Sequence, residues 1–184
     1  MEIELKLPEW LSRTNSETAD TIYKSIEERA EFTINLSRLN IEYHTGGPFG
    51  AAIFDMNNGS LISAATNLVV PLSCSIAHAE MIAIMLAQKK LGTHCLSGSS
   101  KYQLVSSCQP CAMCMGAIPW SGIASLVCCS RDEDARAIGF DEGDKPDDWI
   151  EKYKARNIEV LTDVLRPKAR KVLQDYSKKD GQIY

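Results

Sequence analysis

Two short segments constrain this chain more than any other feature: His78-Ala79-Glu80, and, further on, Pro110-Cys111-Ala112-Met113-Cys114. Cysteines at positions i and i+3 of a helix share one face and can clamp a single ion. A histidine from the start of a neighbouring helix supplies a third ligand. The expected metal is zinc, one per chain, held by His78, Cys111 and Cys114. Three protein ligands leave a fourth tetrahedral position for a catalytic water, which separates a catalytic zinc from a closed structural one. Zinc lowers the pKa of such a water towards about 7. Glu80, two residues after the histidine, does not share its side of a regular helix. It can still reach across the first turn as a proton carrier. The alternatives are a closed structural zinc completed by Cys108 or Cys74, and an incidental cysteine pair in a core beside a satisfied histidine.

The 184 residues fit one domain, expected to span 1–184, and can bury one substantial core. No apolar run approaches the roughly 18 residues of a membrane span. The start, Met1-Glu2-Ile3-Glu4, is acidic with no apolar stretch behind it, so no secretory signal is expected. Net charge is −4. The basic residues cluster only as Lys168, Arg170, Lys171, Lys178 and Lys179, which reads as a solvated helix face. This balance favours a small molecule over a polynucleotide. Seven cysteines, an odd number, read as metal ligands or reduced core residues in a cytoplasmic chain, with Cys128 and Cys129 in the core. His44 and His94 sit in loop-like contexts and read as surface residues.

Residues 1–13 are expected to form a loosely docked arm. The capping-box spacing of Thr14 and Glu17 opens a helix expected to run to about Asn40, with an apolar stripe of Ile22, Ile26, Ala30 and Ile34. Residues 49–55 and 60–65 read as a hairpin around Asn57-Asn58-Gly59. A buried helix is expected over 77–91, closed by Gly92. A strand at 102–106 precedes a helix over 111–118, with Pro110 suiting its first turn. A strand follows at 125–129, then helices at 132–137 and 147–155, a strand at 158–162 and a closing helix over 166–178. The order predicts an α/β fold: a three-layer α/β/α arrangement around one mixed sheet.

At the metal residues the chain resembles the cytidine deaminase superfamily, whose zinc nucleobase deaminases carry the pattern H-x-E…P-C-x-x-C. The resemblance runs from about Gly46 to the C-terminus and implies a five-stranded sheet between helices. Within the superfamily the chain looks most like bacterial guanine deaminases, including those that accept the triazine ammeline. That choice rests on Gly46-Gly47-Pro48-Phe49, Thr66-Asn67, Trp120-Ser121-Gly122, and above all Ile138-Gly139-Phe140-Asp141-Glu142-Gly143. The resemblance implies that Phe49 stacks on the base and Asn67 bonds its edge. It also implies that the Ala77 backbone meets the substrate beside His78, that Trp120 forms a pocket wall, and that Glu142 is a second catalytic acid near the leaving amine. The segment 165–184 would supply a C-terminal helix and a lid including Tyr184, and the assembly would be a homodimer. One departure is Gln109, where these families carry Glu.

The expected reaction is hydrolysis of guanine to xanthine and ammonia, a step in purine catabolism. Another amino-heterocycle or nucleoside, such as ammeline, guanosine or a cytosine-type base, is the first rival. A tRNA adenosine deaminase and a non-catalytic zinc-stabilised scaffold are the others.

Overall fold

The computed structural model describes residues 5–18 and 21–184. Its elements are α1 (Glu9–Glu17), α2 (Ile26–Glu42), β1 (Gly50–Asp55), β2 (Leu61–Thr66), α3 (Val69–Leu72), α4 (Ala79–Leu91), β3 (Tyr102–Cys108), α5 (Ala112–Ser121), β4 (Ser125–Ser130), α6 (Asp132–Arg136), α7 (Trp149–Lys154), β5 (Glu159–Leu161) and α8 (Arg166–Lys178). The strands form one mixed sheet in the order β2-β1-β3-β4-β5. β1 runs antiparallel to β2 and β3, whereas β3, β4 and β5 are parallel.

Strand side chains alternate between the two faces, and the core divides accordingly. Ala51, Ile53, Leu104, Leu126 and Cys128 meet the α4 and α5 residues Ile82, Ala83, Met115 and Ile118. Ala52, Phe54, Val105, Val127 and Cys129 meet Ala30 and Ile34 of α2 and Val172 and Leu173 of α8. Both faces are covered, which produces the expected α/β/α layering and explains the near-continuous burial of β3 and β4.

The N-terminal third differs from its reading in the sequence. The long helix expected over 14–40 is two helices. The Thr, Asn and Ser side chains late in α1 bond back to carbonyls one turn earlier, as in Thr14 Oγ1 to Trp10 O at 2.9 Å, a habit that weakens helix continuation. Ile22 forms a bridge to Ser60 instead of joining the apolar stripe. The capping box belongs to Ser25 and Glu28, which start α2. The described part of the expected loose arm is docked, because Leu11 is fully buried. The Asn15 amide bonds both backbone groups of Ala64, at 2.9 and 2.8 Å, on the edge strand β2. That pairing occupies groups an exposed edge would leave free. Residues 1–4 of the expected arm lie outside the described residues.

α5 contains Pro119, which cannot donate to the carbonyl of Met115 one turn earlier. Tyr153 of α7 donates its hydroxyl to that carbonyl at 2.7 Å, so the missing bond is replaced from a neighbouring helix. Gly92 and Gly122 end α4 and α5 with φ of 65° and 80°, the left-handed conformation glycine tolerates.

α6 and α8 are joined through Asp134, a buried carboxylate. Arg166 forks onto it at 2.8 and 3.0 Å, and the Arg131 N–H donates at 3.0 Å. Burial alone would raise its pKa, but these bonds outweigh burial and hold it below the ordinary carboxylate range. A depressed carboxylate stabilises the fold above its unfolded pKa and loses that contribution as pH falls through the folded value. Asp134→Asn is expected to cost about 2 kcal/mol at pH 7. Urea titrations across pH check this: the gap from the parent protein should be flat near neutrality and shrink below about pH 4.

Candidate active site

Two helix starts meet over the sheet. His78 is the N-cap residue of α4 and Cys111 that of α5, both with extended backbones, and Cys114 lies one turn into α5. Pro110 precedes the cap and does not enter the first turn. The ligand atoms of His78, Cys111 and Cys114 all lie within 4.8 Å of one another. His78 Nδ1 is 3.5 Å from Cys111 Sγ. A tetrahedral zinc with Zn–N and Zn–S bonds of about 2.0 and 2.3 Å would separate those atoms by about 3.5 Å, so the donor set fits the ion. The Cys111 thiol is held down to about 4, first by its hydrogen bond with Cys114, against burial, and then by His78. A thiolate is the form that binds metal.

The alternative fourth ligands do not join this group. Cys108 is buried nearby, but its thiol donates to Arg131 O at 3.3 Å. Neither Cys108 nor Cys74 belongs to the cluster, which among the described residues holds three side chains. All seven cysteines are free.

Glu80 stands beside the cluster. Its Oε1 accepts from Ser106 Oγ at 3.1 Å and its Oε2 from Cys114 Sγ at 3.6 Å. Burial raises its pKa above the ordinary value, and His78 opposes the rise. Ser106 carried no signal in the sequence; its role comes from the sheet, which sets β3 directly under the start of α4.

A narrow cleft opens over these residues. Phe49, Asn67, Gln109, Phe140, Glu142 and Tyr184 line it together with His78, Glu80 and Cys111. Asn67 is buried, with its N–H bonded to Phe49 O at 3.0 Å and its Oδ1 accepting from Val69 N at 3.2 Å. Its amide NH2 is then the remaining donor of the side chain, close to the Tyr184 hydroxyl in the cleft. The Phe49 ring meets Phe140 edge-on at 4.9 Å, and Phe140 meets Tyr184 at 5.2 Å. The Tyr184 hydroxyl is buried without a hydrogen-bond partner, in a cleft that offers polar ligands. A side chain on Gly47 would strike that hydroxyl, at 2.1 Å from its Cβ, so the Gly-Gly pair makes room for the C-terminal residue.

Glu142 is buried in the same cleft, and its carboxyl is pushed up to about 7. Burial is the main cause; Lys145 pulls the other way, and Cys111 and Glu80 add to the rise. A second carboxylate near neutrality beside a buried first is an arrangement suited to proton transfer.

Two residues expected at the site lie elsewhere. Trp120 is 84% exposed and lines a separate groove with Pro119, Trp149 and Tyr153. It sits in the last turn of α5, and the aromatic residues that line the cleft of the single chain are Phe49, Phe140 and Tyr184. Ala77 is buried beside His78, but its N–H bonds Cys74 O at 3.0 Å and its C=O accepts from Leu68 N at 2.9 Å. Its backbone serves the loop before α4 and does not line the cleft. Gln109 bonds the start of α6, accepting from Asp132 N at 3.3 Å. A larger apolar groove, between α2 and α8, has no histidine or cysteine in its walls.

The model of the cytidine and deoxycytidylate deaminase zinc-binding region matches residues 26–130, which include every metal-cluster residue. The chain belongs to this deaminase family. Its structure superposes on the guanine deaminase of Nitrosomonas europaea with a TM-score of 0.92 and 44% identity, covering 96% of this chain and 97% of that one. A protein designated NE0047, solved with 2,6-diaminopurine, gives a TM-score of 0.93 at 45% identity over 98% of this chain and 95% of its own. In sequence, Bacillus subtilis (strain 168) guanine deaminase is 39% identical over 97 residues, 53% of this chain and 59% of its own length. The tRNA-specific adenosine deaminase of the same organism is 41% identical over 80 residues, 44% of this chain and 47% of its own. The aligned segment thus spans about half the length of these curated relatives. The five-stranded mixed sheet with its helices is the cytidine deaminase-like fold.

The cluster predicts its own metal dependence. Protein isolated with zinc should lose it to a strong chelator and melt at a lower temperature, because an ion bound only by the native state stabilises it. Cys114→Ser should retain less than a tenth of the metal by atomic absorption. Full zinc content in that variant would contradict the ligand set.

Proposed function

We propose that this family member hydrolyses guanine to xanthine and ammonia, as a single deaminase domain with one zinc per chain. The observation that carries the reading is the pairing, in one cleft, of buried Glu80 beside the metal-ligand cluster with a second buried carboxylate, Glu142, pushed up to about 7. The relatives solved with 2,6-diaminopurine and 8-azaguanine support a purine-like base as the occupant.

His78, Cys111 and Cys114 would hold the zinc, which would supply a water activated for attack at neutral pH. Glu80 takes a proton from that water and delivers it to the ring nitrogen N3, while the water oxygen bonds to C2. The tetrahedral carbon then expels its amine. Glu142 delivers the second proton of the water to that amine, so ammonia leaves and C2 keeps a carbonyl. Ser106 holds Glu80 in place through its hydroxyl. Phe49 offers a ring face to the base, and the Asn67 NH2 donates to an acceptor on its edge. Tyr184 lines the same cleft, and the net charge of −4 argues against a tRNA substrate.

Ammeline presents a comparable amine beside a ring nitrogen and belongs to the same reading, as does a place in purine catabolism. The groove beside exposed Trp120, lined also by Met115, Pro119, Pro146 and Trp149, is an apolar patch that supports a homodimer. Free cysteines throughout support a reducing, cytoplasmic setting. No helix among the described residues is long and apolar enough to cross a membrane.

The test is zinc-loaded protein with guanine, ammeline, guanosine, cytosine and adenine, followed by ammonia release and, for guanine, xanthine absorbance. Guanine should give the highest kcat/KM; turnover confined to another base would overturn the substrate. Glu80→Gln should lower kcat by at least about 10³-fold with zinc retained. Glu142→Gln should lower it by about 10²-fold with KM little changed, and a wild-type rate would remove it from the reaction.

A further inference from the structure

Lys145 is a lysine whose side chain is only 8% exposed. A buried ammonium persists only where charged partners surround it. Its Nζ lies 2.9 Å from Asp132 Oδ2, at the start of α6. It donates to the carbonyl of Pro110, immediately before the start of α5, at 3.2 Å. The same Nζ is 3.9 Å from Glu142 Oε2. One ammonium thus joins α6, the start of α5 and the loop that carries Glu142.

The two carboxylate contacts differ in kind. At 2.9 Å the Asp132 contact is a charge-assisted hydrogen bond, whereas 3.9 Å to Glu142 is beyond hydrogen-bond length. Asp132 therefore anchors the ammonium. Glu142 feels its attraction without giving up an oxygen to it, and both of its oxygens stay free for a ligand in the cleft. The loop backbone is fixed to the same place: Ala112 N donates to Glu142 O at 2.9 Å, and Arg136 donates to Gly143 O at 2.6 Å. A side chain on Gly143 would come within 2.9 Å of Ala112 Cβ, at a φ of +68°, so the loop passes too close to α5 for any residue but glycine. Lys145 stands behind Glu142 and does not itself line the cleft.

We propose that Lys145 is a positioning residue for the second carboxylate: anchored by Asp132, it aims Glu142 into the cleft without pairing with it. The proposal rests on the reading that Glu142 serves the departing amine. It also assigns Asp132 a purpose, as the acid that keeps the ammonium from swinging onto Glu142.

A double-mutant cycle tests it, with kcat, KM, zinc content and melting temperature measured for wild type, Lys145→Met, Glu142→Gln and the double variant. The substrate is whichever amino-heterocycle wild type turns over fastest, so a wrong assignment of guanine shows as inactive guanine while Lys145 is still judged. Lys145→Met should keep its zinc and a KM within about threefold of wild type, and lose about 10- to 50-fold in kcat. Lys145→Arg should recover part of that loss. In the Glu142→Gln background Lys145→Met should cost less than about twofold more, because residues acting through one group are non-additive. Should Lys145→Met fail to fold, Asp132→Asn takes its place in the cycle, with the same loss of kcat expected and the same disappearance once Glu142 is gone. A wild-type kcat in the single variants, a loss that persists in full in the Glu142→Gln background, or a loss that follows missing zinc would each overturn the proposal.

Discussion

The structure depends on the meeting of two helix N-termini. His78 and Cys111 are cap residues, so their extended backbones turn the side chains across the ends of α4 and α5. Two N-termini aimed at one point place two positive dipole ends together, which favours negative charge there. A depressed Cys111 and two carboxylates occupy that point. The sheet makes the meeting possible. β3 leads into α5 and packs under α4, and it contributes Ser106 to Glu80 from its buried face.

Around this point the chain arranges acids in graded surroundings. Glu80 is fully enclosed between Ser106 and Cys114, where its proton can be exchanged only with what enters the cleft. Glu142 is equally buried but has a cation behind it, and burial pushes its carboxyl up to about 7 against the pull of Lys145. Asp132 is tied to Lys145 and Arg136, and its carboxyl lies below the ordinary range: burial raises it and the bonds from Lys145 outweigh that. Asp134, two residues further along α6, accepts from the Arg131 N–H and joins α6 to α8 through Arg166. Four acids within one region thus divide into two free for chemistry and two spent on architecture, and the cations beside them make the difference.

The grouping of His78, Cys111 and Cys114 beside Glu80 was legible in the sequence because the spacing of these residues is set by helix geometry. The buried helix at Ala79–Leu91 and the hairpin at Gly59 were legible for the same local reasons. The break between α1 and α2 was not. Thr14 and Glu17 satisfy the capping-box spacing as well as Ser25 and Glu28 do, and docking of Leu11 and pairing of Asn15 with Ala64, both long-range, decide between them. Ser106, Lys145 and the placing of Tyr184 in the cleft depend on contacts between distant segments, which no periodicity encodes. Trp120 stands outside the cleft of the single chain, because an aromatic in a helix carries no sign of which way its face turns until the neighbouring layer is known.

The central claim is a metal held by three protein side chains with one position left for chemistry. X-ray absorption at the zinc edge of the isolated protein measures this directly. The account predicts two sulfur ligands at about 2.3 Å, one imidazole nitrogen at about 2.0 Å and one further light-atom ligand. In Glu80→Gln the two sulfurs should remain. A shell of three or four sulfurs would show Cys108 or Cys74 closing the site, and would contradict the account of this chain as a hydrolytic enzyme.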